Sequence, residues 1–330
     1  MNDEGNNGGL EGTVHSVSAM SMKASEGLTI QDLIRMLQSA RSSADGRVPG
    51  AEHLDEQRVF TAIKEAVLNA ETLYIAYDVH TNYPYIGSGN QVWVFSEGKF
   101  AAEAADYYLQ QLIQLEMRRL GREDIRKMLA ELHVLGIGSL LVHNGQHTVV
   151  LARDELLPPP DWSGTPEIQI PVSNPGLQHA MLSFFQAMYS RQQYAGKNEI
   201  LRAAEARMLD ELLQAKFLVP MQLKEEEPSA ADEQGRKTLQ QGTVIQFASL
   251  GVEGGESWLP VFTDWPEFEK GYDKTVWSGN VAAYEDVVKL SANMGGAVIN
   301  FRGIGFRLDE KNQRMVAEYV RERDAGKGRS

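Results

Sequence analysis

Val261-Phe-Thr-Asp264 is the segment from which the fold of this 330-residue chain is predicted, because it marks the passage from a strand to a helix. Its valine and phenylalanine favour a strand, and the threonine and aspartate that follow are residue types that start helices. The similar segment Val94-Phe-Ser-Glu97 lies 167 positions earlier, and a tryptophan stands slightly upstream of each, Trp93 and Trp258. The pattern therefore indicates that one structural unit occurs twice in the chain.

Two further pairs of segments repeat in the same order. Leu68–Ala76 is similar to Leu213–Met221 at an offset of 145, and in each an apolar-periodic helix runs directly into a strand. Leu141-Val-His143 and the strand after it are similar to Val298-Ile-Asn300 and its following strand at an offset of 157. The changing offsets place insertions in loops, where added length costs little. This order of elements predicts an α+β fold of two tandem modules, each a mostly antiparallel sheet flanked by helices.

The first copy carries the clearest local signals. Helical sequence fills most of residues 99–133. Asn144-Gly145 predicts a two-residue hairpin turn in which His143 pairs with Gln146. Neighbouring pairs face opposite sides of a sheet, so the side chain of His147 is expected to diverge from that of His143. We therefore predict no metal site, and no cofactor is expected.

The domain boundaries follow from the repeat and from changes in composition. We predict a flexible N-terminal segment over residues 1–50 with one possible short helix, a diverged domain over 51–157, a linker with a bridging helix over 158–196, and a second domain with a C-terminal helix over 197–330. The linker is proline-rich, which favours an extended connection. The polar stretch Lys224–Gln241 is expected to be a mobile loop.

Composition limits the classes of function that the chain can have. Lys and Arg total 32 against 45 Asp and Glu, and the formal net charge of −13 argues against binding to nucleic acid or to an anionic membrane surface. Cysteine is absent, so disulfides, thiolate metal sites and cysteine nucleophiles are excluded. No apolar stretch reaches the roughly 18 residues of a membrane span, and the first residues lack a signal-peptide pattern. We expect a cytoplasmic protein.

Four segments of the second copy carry a family resemblance: Ala215–Pro220, Thr243–Ser249, Leu259-Pro-Val-Phe-Thr-Asp-Trp265 and Ala297-Val-Ile-Asn300. Through them the second copy resembles the SseB protein N-terminal domain family over roughly residues 198–310. The first copy keeps the order of elements but has Trp93 where the second has Pro260, so it resembles a diverged member of the same family. The resemblance implies a bacterial cytoplasmic α+β domain with no established enzymatic activity.

Polar residues at the strand–helix passage of the second copy are candidates for chemistry. Asp264 is expected to cap the next helix, because proline follows two positions later. General acid–base chemistry by two of the carboxylates of Asp264, Glu267 and Glu269 is the less favoured interpretation. The loop Gly251–Glu256 is predicted to be a turn and not a phosphate site, since its glutamates repel phosphate. No catalytic constellation occurs among these motifs, so we predict no catalytic residue and no enzymatic activity.

Tryptophans beside a strand are amphipathic anchors of the kind found in partner surfaces. We predict that Trp258, Asp264, Trp265 and Asn300 bind a protein or peptide partner in a regulatory role, Asn300 because an amide beside a turn can hold a loop or ligand. The alternative is a small-ligand sensor or enzyme with a site in the cleft between the two copies. A third option is that the first copy only stabilises the second.

Overall fold

The computed structural model of the chain describes residues 27–42, 51–87, 89–224, 244–251 and 255–327. Most of the predicted flexible segment (residues 1–26) and nearly all of the predicted mobile loop (225–241) lie outside these described residues. Among the helices in the described ranges, none combines the length and the apolar composition that crossing a bilayer requires.

The first half opens with two helices that pack on each other, α1 (Ile30–Ser42) and α2 (Ala51–Leu68). Leu33, Ile34 and Leu37 form the buried face of α1, at the spacing of an amphipathic helix. The elements that follow are β1 (Thr72–Asp78), β2 (Tyr83–Pro84), β3 (Val92–Phe95), α3 (Gly98–Gln110), β4 (Leu115–Gly121), α4 (Arg122–Val134), β5 (Ser139–His143), β6 (Thr148–Ala152) and α5 (Arg153–Leu156).

β1 has neighbours on both of its edges. One edge pairs antiparallel with β4 along its full length, beginning with Thr72 opposite Gly121. The other edge pairs antiparallel with β2 and then β3, where Tyr74 lies opposite Phe95. β3 pairs parallel with β5, and β5 pairs antiparallel with β6. The sheet therefore runs β4-β1-β3-β5-β6, with β2 on the same side of β1 as β3.

The second half opens in the same way, because α6 (Pro175–Tyr189) packs against α7 (Lys197–Gln214). The predicted bridging helix is thus the first helix of the second half, as α1 is of the first. The remaining elements are a 3₁₀ turn (Glu167–Gln169) before α6, then β7 (Lys216–Lys224), β8 (Val244–Phe247), β9 (Leu250–Gly251), β10 (Ser257–Val261), α8 (Trp265–Glu269), β11 (Ser278–Ala283), α9 (Tyr284–Leu290), β12 (Ala297–Ile299), β13 (Phe306–Leu308) and α10 (Glu310–Lys327).

The strands of the second half pair in the order and with the senses of the first. β7 pairs antiparallel with β11 on one edge, with Lys216 opposite Ala283, and with β8 on the other. An antiparallel bridge between Leu218 and Phe262 joins β7 to the end of β10. β10 pairs parallel with β12, and β12 pairs antiparallel with β13. The predicted α+β class, with mostly antiparallel sheets flanked by helices, is confirmed.

Two of the three predicted offsets agree with the strand registers. Trp93 lies opposite Leu141 in the first half, and Pro260 lies opposite Val298 in the second. Trp93 and Pro260 are 167 positions apart, and Leu141 and Val298 are 157 positions apart, as the sequence predicts.

The remaining offset is 144 and not the predicted 145. Tyr74 and Leu218 hold equivalent places, since each lies opposite a phenylalanine at the end of the neighbouring strand: Phe95, the last residue of β3, or Phe262, the residue directly after β10. Leu73, the residue before Tyr74, therefore corresponds to Phe217, and both side chains are fully buried.

Each half contains an edge strand that the sequence did not predict, β4 or β11. Helix does fill most of residues 99–133, as α3 and α4, but β4 separates the two helices and was not predicted. β4 carries Glu116, Arg118 and Arg119, which hide the alternation of a buried strand. An edge strand tolerates such charges because its outer side has no partner strand.

The turn between β5 and β6 is longer than predicted. Oδ1 of Asn144 accepts hydrogen bonds from the backbone N–H groups of Gln146 (3.0 Å) and His147 (2.7 Å), which closes a four-residue loop. His143 consequently pairs with Thr148 and not with Gln146. Within the described ranges, no group of three or more His, Asp or Glu side chains is arranged to hold a metal ion.

The two halves share one hydrophobic core. Leu129 of α4, Met181 of α6 and Val261 of β10 are all fully buried in it. Each sheet also has an outer face with its own small aromatic cluster, around Phe95 in the first half and Phe262 in the second. Candidate sites are therefore found on these outer faces and at the margin of the junction.

Candidate functional site

A buried polar cluster joins the ends of β10 and β12. Thr263, Asp264 and Asn300 are each at most 1% exposed. The Thr263 N–H donates to Oδ1 of Asn300 (3.1 Å), and Nδ2 of Asn300 donates to the Thr263 hydroxyl (2.9 Å). That hydroxyl donates to Oδ2 of Asp264 (2.7 Å). Asn300 has a φ of 47°, a left-handed conformation that asparagine adopts more readily than most residues.

Asp264 also ties the start of α8 to α6. Its Oδ1 accepts from the backbone N–H of Glu267 (2.9 Å), so the predicted helix cap is confirmed. Its Oδ2 accepts from the side-chain amide of Gln178 on α6 (2.9 Å), which also donates to the Thr263 hydroxyl (2.8 Å). Asn174, directly before α6, donates to the Thr263 carbonyl (2.5 Å). The cluster therefore fixes the strand–helix passage to the first helix of its own half.

The first half has a similar but more exposed arrangement at the equivalent positions, Ser96, Glu97 and His143. The side-chain amide of Gln31 on α1 donates to Oε1 of Glu97 (2.5 Å), as the α6 glutamine does to its aspartate. The Ser96 hydroxyl donates to the His143 carbonyl (3.2 Å). Burial lowers the pKa of the His143 imidazole, against the opposing charge of Glu103. A glutamine on the first helix thus binds the carboxylate in both halves.

The four predicted partner-binding residues fall into two groups. Asp264 and Asn300 lie inside the polar cluster, where their polar atoms bond to neighbours and do not reach the surface. Trp265 is half-buried and covers Gly279, whose missing side chain leaves room for the indole ring. Trp258 lines a surface groove. Both tryptophans are half-buried, and Trp258 borders the open groove.

The groove around Trp258 is an open depression of about 500 Å³ on the outer face of the second sheet. Phe301 adds an apolar wall, and the Arg307 guanidinium lies 5.9 Å from the centre of the indole ring. Gly295 lies against the indole, and a Cβ at that position would come within 2.9 Å of Nε1. Glu256 lines the same groove. The groove therefore has an apolar floor with one charge of each sign beside it.

A buried polar contact crosses the junction between the halves. The Tyr83 hydroxyl, at the start of β2, donates to Oε1 of Glu267 on α8 (2.5 Å). Nζ of Lys270 donates to the same carboxylate oxygen (2.6 Å) and to the Tyr83 hydroxyl (2.9 Å). Burial, and then the charge of Glu267, raises the pKa of Tyr83. These bonds hold the two halves in one relative position.

A cavity of about 470 Å³ lies between the first half and the α6–α7 corner of the second. Its lining includes Asp78, Tyr85, Gln186 and Tyr194. Gln186 of α6 donates to the carbonyl of Pro84 (2.9 Å), so α6 is directly bonded to the first half. The sequence predicted a possible site between the copies but none of these residues. The lining residues form no local motif, and the helix that carries Gln186 lies in the segment predicted to be a linker with a bridging helix.

Comparison with known proteins supports the interpretation of the second half. Residues 198–311 match the family model of the SseB protein N-terminal domain, which confirms the SseB domain predicted there. The first copy, over residues 51–157, stays a prediction. No curated protein matches the chain. Among solved structures, Anabaena Tic22 (protein transport) is similar at 11% identity, with 78% of this chain and 95% of that chain covered and a TM-score of 0.17. At that TM-score the similarity supports no statement about function.

Proposed function

We propose that the protein is a cytoplasmic, non-enzymatic binding protein with a regulatory role, and that it takes up a protein or peptide segment in the Trp258 groove. The observation that carries the proposal is the half-buried indole on the floor of an open groove. An indole held in this way offers a large and rigid apolar face, which is why tryptophan is enriched among the residues that dominate binding energy.

The charges beside the groove support a partner segment of mixed character. Glu256 and Arg307 are exposed and line the groove together with the indole. An apolar side chain of the partner would pack on Trp258, while polar or charged neighbours on the same segment would meet the two charges. The buried cluster of Asp264 and Asn300 then acts indirectly, by fixing the strand ends behind the groove.

We also propose that the first half is a diverged copy of the SseB-like domain, so that the chain is a tandem. The shared strand order, the shared senses of pairing and the agreement of registers support this proposal. The equivalent helix pairs, α1–α2 and α6–α7, extend the repeat beyond the predicted domain limits.

Peptide selection on the full chain tests the groove. A library of random peptides is panned against the purified protein, and the dissociation constant of each enriched peptide is measured by calorimetry. We expect Trp258→Ala to weaken the enriched peptides at least tenfold, because truncating an anchor typically costs about 2 kcal/mol. Trp162→Ala is the matched control, since Trp162 is 42% exposed and lies outside the groove.

Thermal unfolding of both variants separates lost binding from lost folding. If the selected peptides bind Trp258→Ala as tightly as the parent protein, or if panning enriches no peptide, the groove is not the partner site. Equal weakening by both tryptophan variants would point to a general effect of removing an exposed ring and would also contradict the proposal.

The second candidate function is binding of a small ligand at the junction of the two halves. The cavity of about 470 Å³ favours it, because small-molecule sites in proteins are concave and often lie where two structural units meet. This candidate requires no residue of the Trp258 groove, so the two functions can be tested separately.

A further inference from the structure

The junction cavity is largely apolar and holds one carboxylate, that of Asp78. Among the described residues that line it there is no Lys or Arg, and His80 is the one basic side chain, an imidazole that is ordinarily neutral at pH 8. Apolar walls come from both halves, with Ile86 and Ile113 on one side and Ala187 and Ile200 on the other. A carboxylate in the wall of a largely apolar cavity is suited to a cation carried on an aliphatic stem.

The Asp78 carboxylate is held in place with one oxygen left for a ligand. Asp78 is the last residue of β1 and is only 5% exposed. Its Oδ1 accepts from the backbone N–H of Thr81 (2.7 Å), which fixes the side-chain rotamer. Among the described residues, no donor forms a hydrogen bond to Oδ2. A bound donor would therefore satisfy this oxygen without breaking an existing bond.

Two tyrosines give the cavity aromatic walls beside the carboxylate. Tyr85 and Tyr194 both line it. Burial, together with the charges of Tyr108, Asp78 and Tyr194, raises the pKa of Tyr85 to about 12, so its hydroxyl is neutral at pH 7. Neutral tyrosine rings favour a nearby cation through their π-faces, and their hydroxyls can accept a hydrogen bond from it.

The walls of the cavity are fixed before any ligand binds. The amide oxygen of Gln186 accepts from the Ile86 N–H (3.0 Å), and its NH₂ donates to the Pro84 carbonyl. Lys197 bonds to the carbonyls of Ser190 (2.6 Å) and Gln192 (2.9 Å), which holds the segment that carries Tyr194. A preformed site binds with less loss of conformational entropy than one that must first be ordered.

We propose that this cavity binds a small primary amine or guanidine, with the cationic group on Oδ2 of Asp78 and its aliphatic stem against the apolar walls. The inference deepens the second candidate function and is independent of the Trp258 groove. The carboxylate that it requires comes from the first half and is not repeated in the second, where Gln222 stands at the position equivalent to Asp78, at the offset of 144.

Calorimetry on the full-length protein tests the inference with defined probes. Cadaverine and agmatine are titrated at pH 8 in low salt, with 1,5-pentanediol and glutarate as neutral and anionic controls of similar length. We expect the two cations to bind and the two controls to bind at least tenfold more weakly. Asp78→Asn should weaken the cations at least tenfold, since the asparagine oxygen can still accept from Thr81 while the charge is lost.

Two further variants make the test specific. Tyr85→Phe should weaken the cations less than Asp78→Asn does, because the ring remains and only the hydroxyl is removed. Trp258→Ala should leave cation binding unchanged, so a failure of the groove proposal and a failure of this one give different results. The inference is wrong if neither cation binds at millimolar concentration, if the diol binds as tightly as the diamine, or if folded Asp78→Asn binds the cations like the parent protein.

Discussion

The two halves of the chain have the same strand pairing and carry different surface chemistry. At the position of Trp258 the first half has Gln91, and at the position of Asp78 the second half has Gln222. The indole of the groove and the carboxylate of the cavity therefore each occur in one half and not at the equivalent place in the other. Repeated pairing fixes the frame, and side chains that point away from the shared core are free to differ.

The polar clusters differ in burial more than in connectivity. In both halves a glutamine of the first helix binds the carboxylate that follows the strand, Glu97 or Asp264. In the second half the carboxylate is buried and accepts three hydrogen bonds, whereas Glu97 is half-buried and also faces exposed Lys99. The same arrangement should therefore contribute more to stability in the second half than in the first.

The largest effect should come from the core that the halves share. Met181→Ala removes a fully buried side chain of α6, and we expect it to lower the free energy of unfolding by about 2–5 kcal/mol. Urea denaturation followed by circular dichroism measures the change, with Met188→Ala on the same helix as control, because Met188 is 41% exposed. Two separate transitions, of which only one shifts, would show that the halves have independent cores.

A smaller effect should distinguish the two polar clusters. Asp264→Ala removes the common acceptor of three buried hydrogen bonds, from Glu267, Gln178 and Thr263, and we expect a loss of about 1–3 kcal/mol. Glu97→Ala removes the equivalent, half-buried side chain, for which we expect less than about 1 kcal/mol. Denaturant titration of both variants compares them directly. Equal losses would contradict the difference in burial between the two halves.

The smallest effect concerns pH. His143→Asn places in the first half the residue that stands at Asn300 in the second. Because burial lowers the pKa of His143, the folded protein binds this proton less readily than the unfolded chain does, so protonation favours unfolding. We expect the parent protein to lose stability as the pH falls from 7 to 5, and the variant to lose less.

Unfolding free energies at several pH values between 5 and 8 give the two slopes. At pH 8 the two proteins should differ least, since both side chains are then uncharged. Parallel pH profiles for the parent protein and His143→Asn would show that this histidine does not contribute to the acid sensitivity.

The sequence predicted the features that depend on local pattern. These include the strands that lead up to Phe95 and Phe262 and the two offsets, 167 and 157, between equivalent strands of the halves. Both follow from residues that neighbour one another in the chain. The predicted offset of the first strand is wrong by one position. It aligns Leu73 with the identical residue Leu218, whereas in the structure Leu73 corresponds to Phe217, which is equally buried. When two apolar residues are consecutive, as Phe217 and Leu218 are, the sequence does not reveal which one faces the shared core.

The features that sequence reasoning missed depend on distant partners. β4 carries charged residues and no strand is predicted there, since its strand character comes from pairing with β1. Gln178 reaches Asp264 across 86 positions, and Gln186 reaches Pro84 across 102. No local pattern marks such glutamines, so neither the buried cluster nor the lining of the cavity could be assembled from the sequence. The cap at Asp264 is predictable from the sequence, because its hydrogen bond joins residues only three positions apart, Asp264 and Glu267.

Disulfide trapping of equivalent edge-strand pairs tests most directly whether the two halves share one pairing. The chain has no cysteine of its own, so Thr72→Cys with Gly121→Cys and, separately, Lys216→Cys with Ala283→Cys give a clean background. Directly opposite residues of antiparallel strands lie about 4.5–5.5 Å apart, within the range that a disulfide spans. Both pairs should lose their free thiols on mild oxidation, and pairs with the second cysteine moved back by one residue should keep them. If the first pair closes and the second stays open, or closes only in the shifted register, the halves do not repeat one fold.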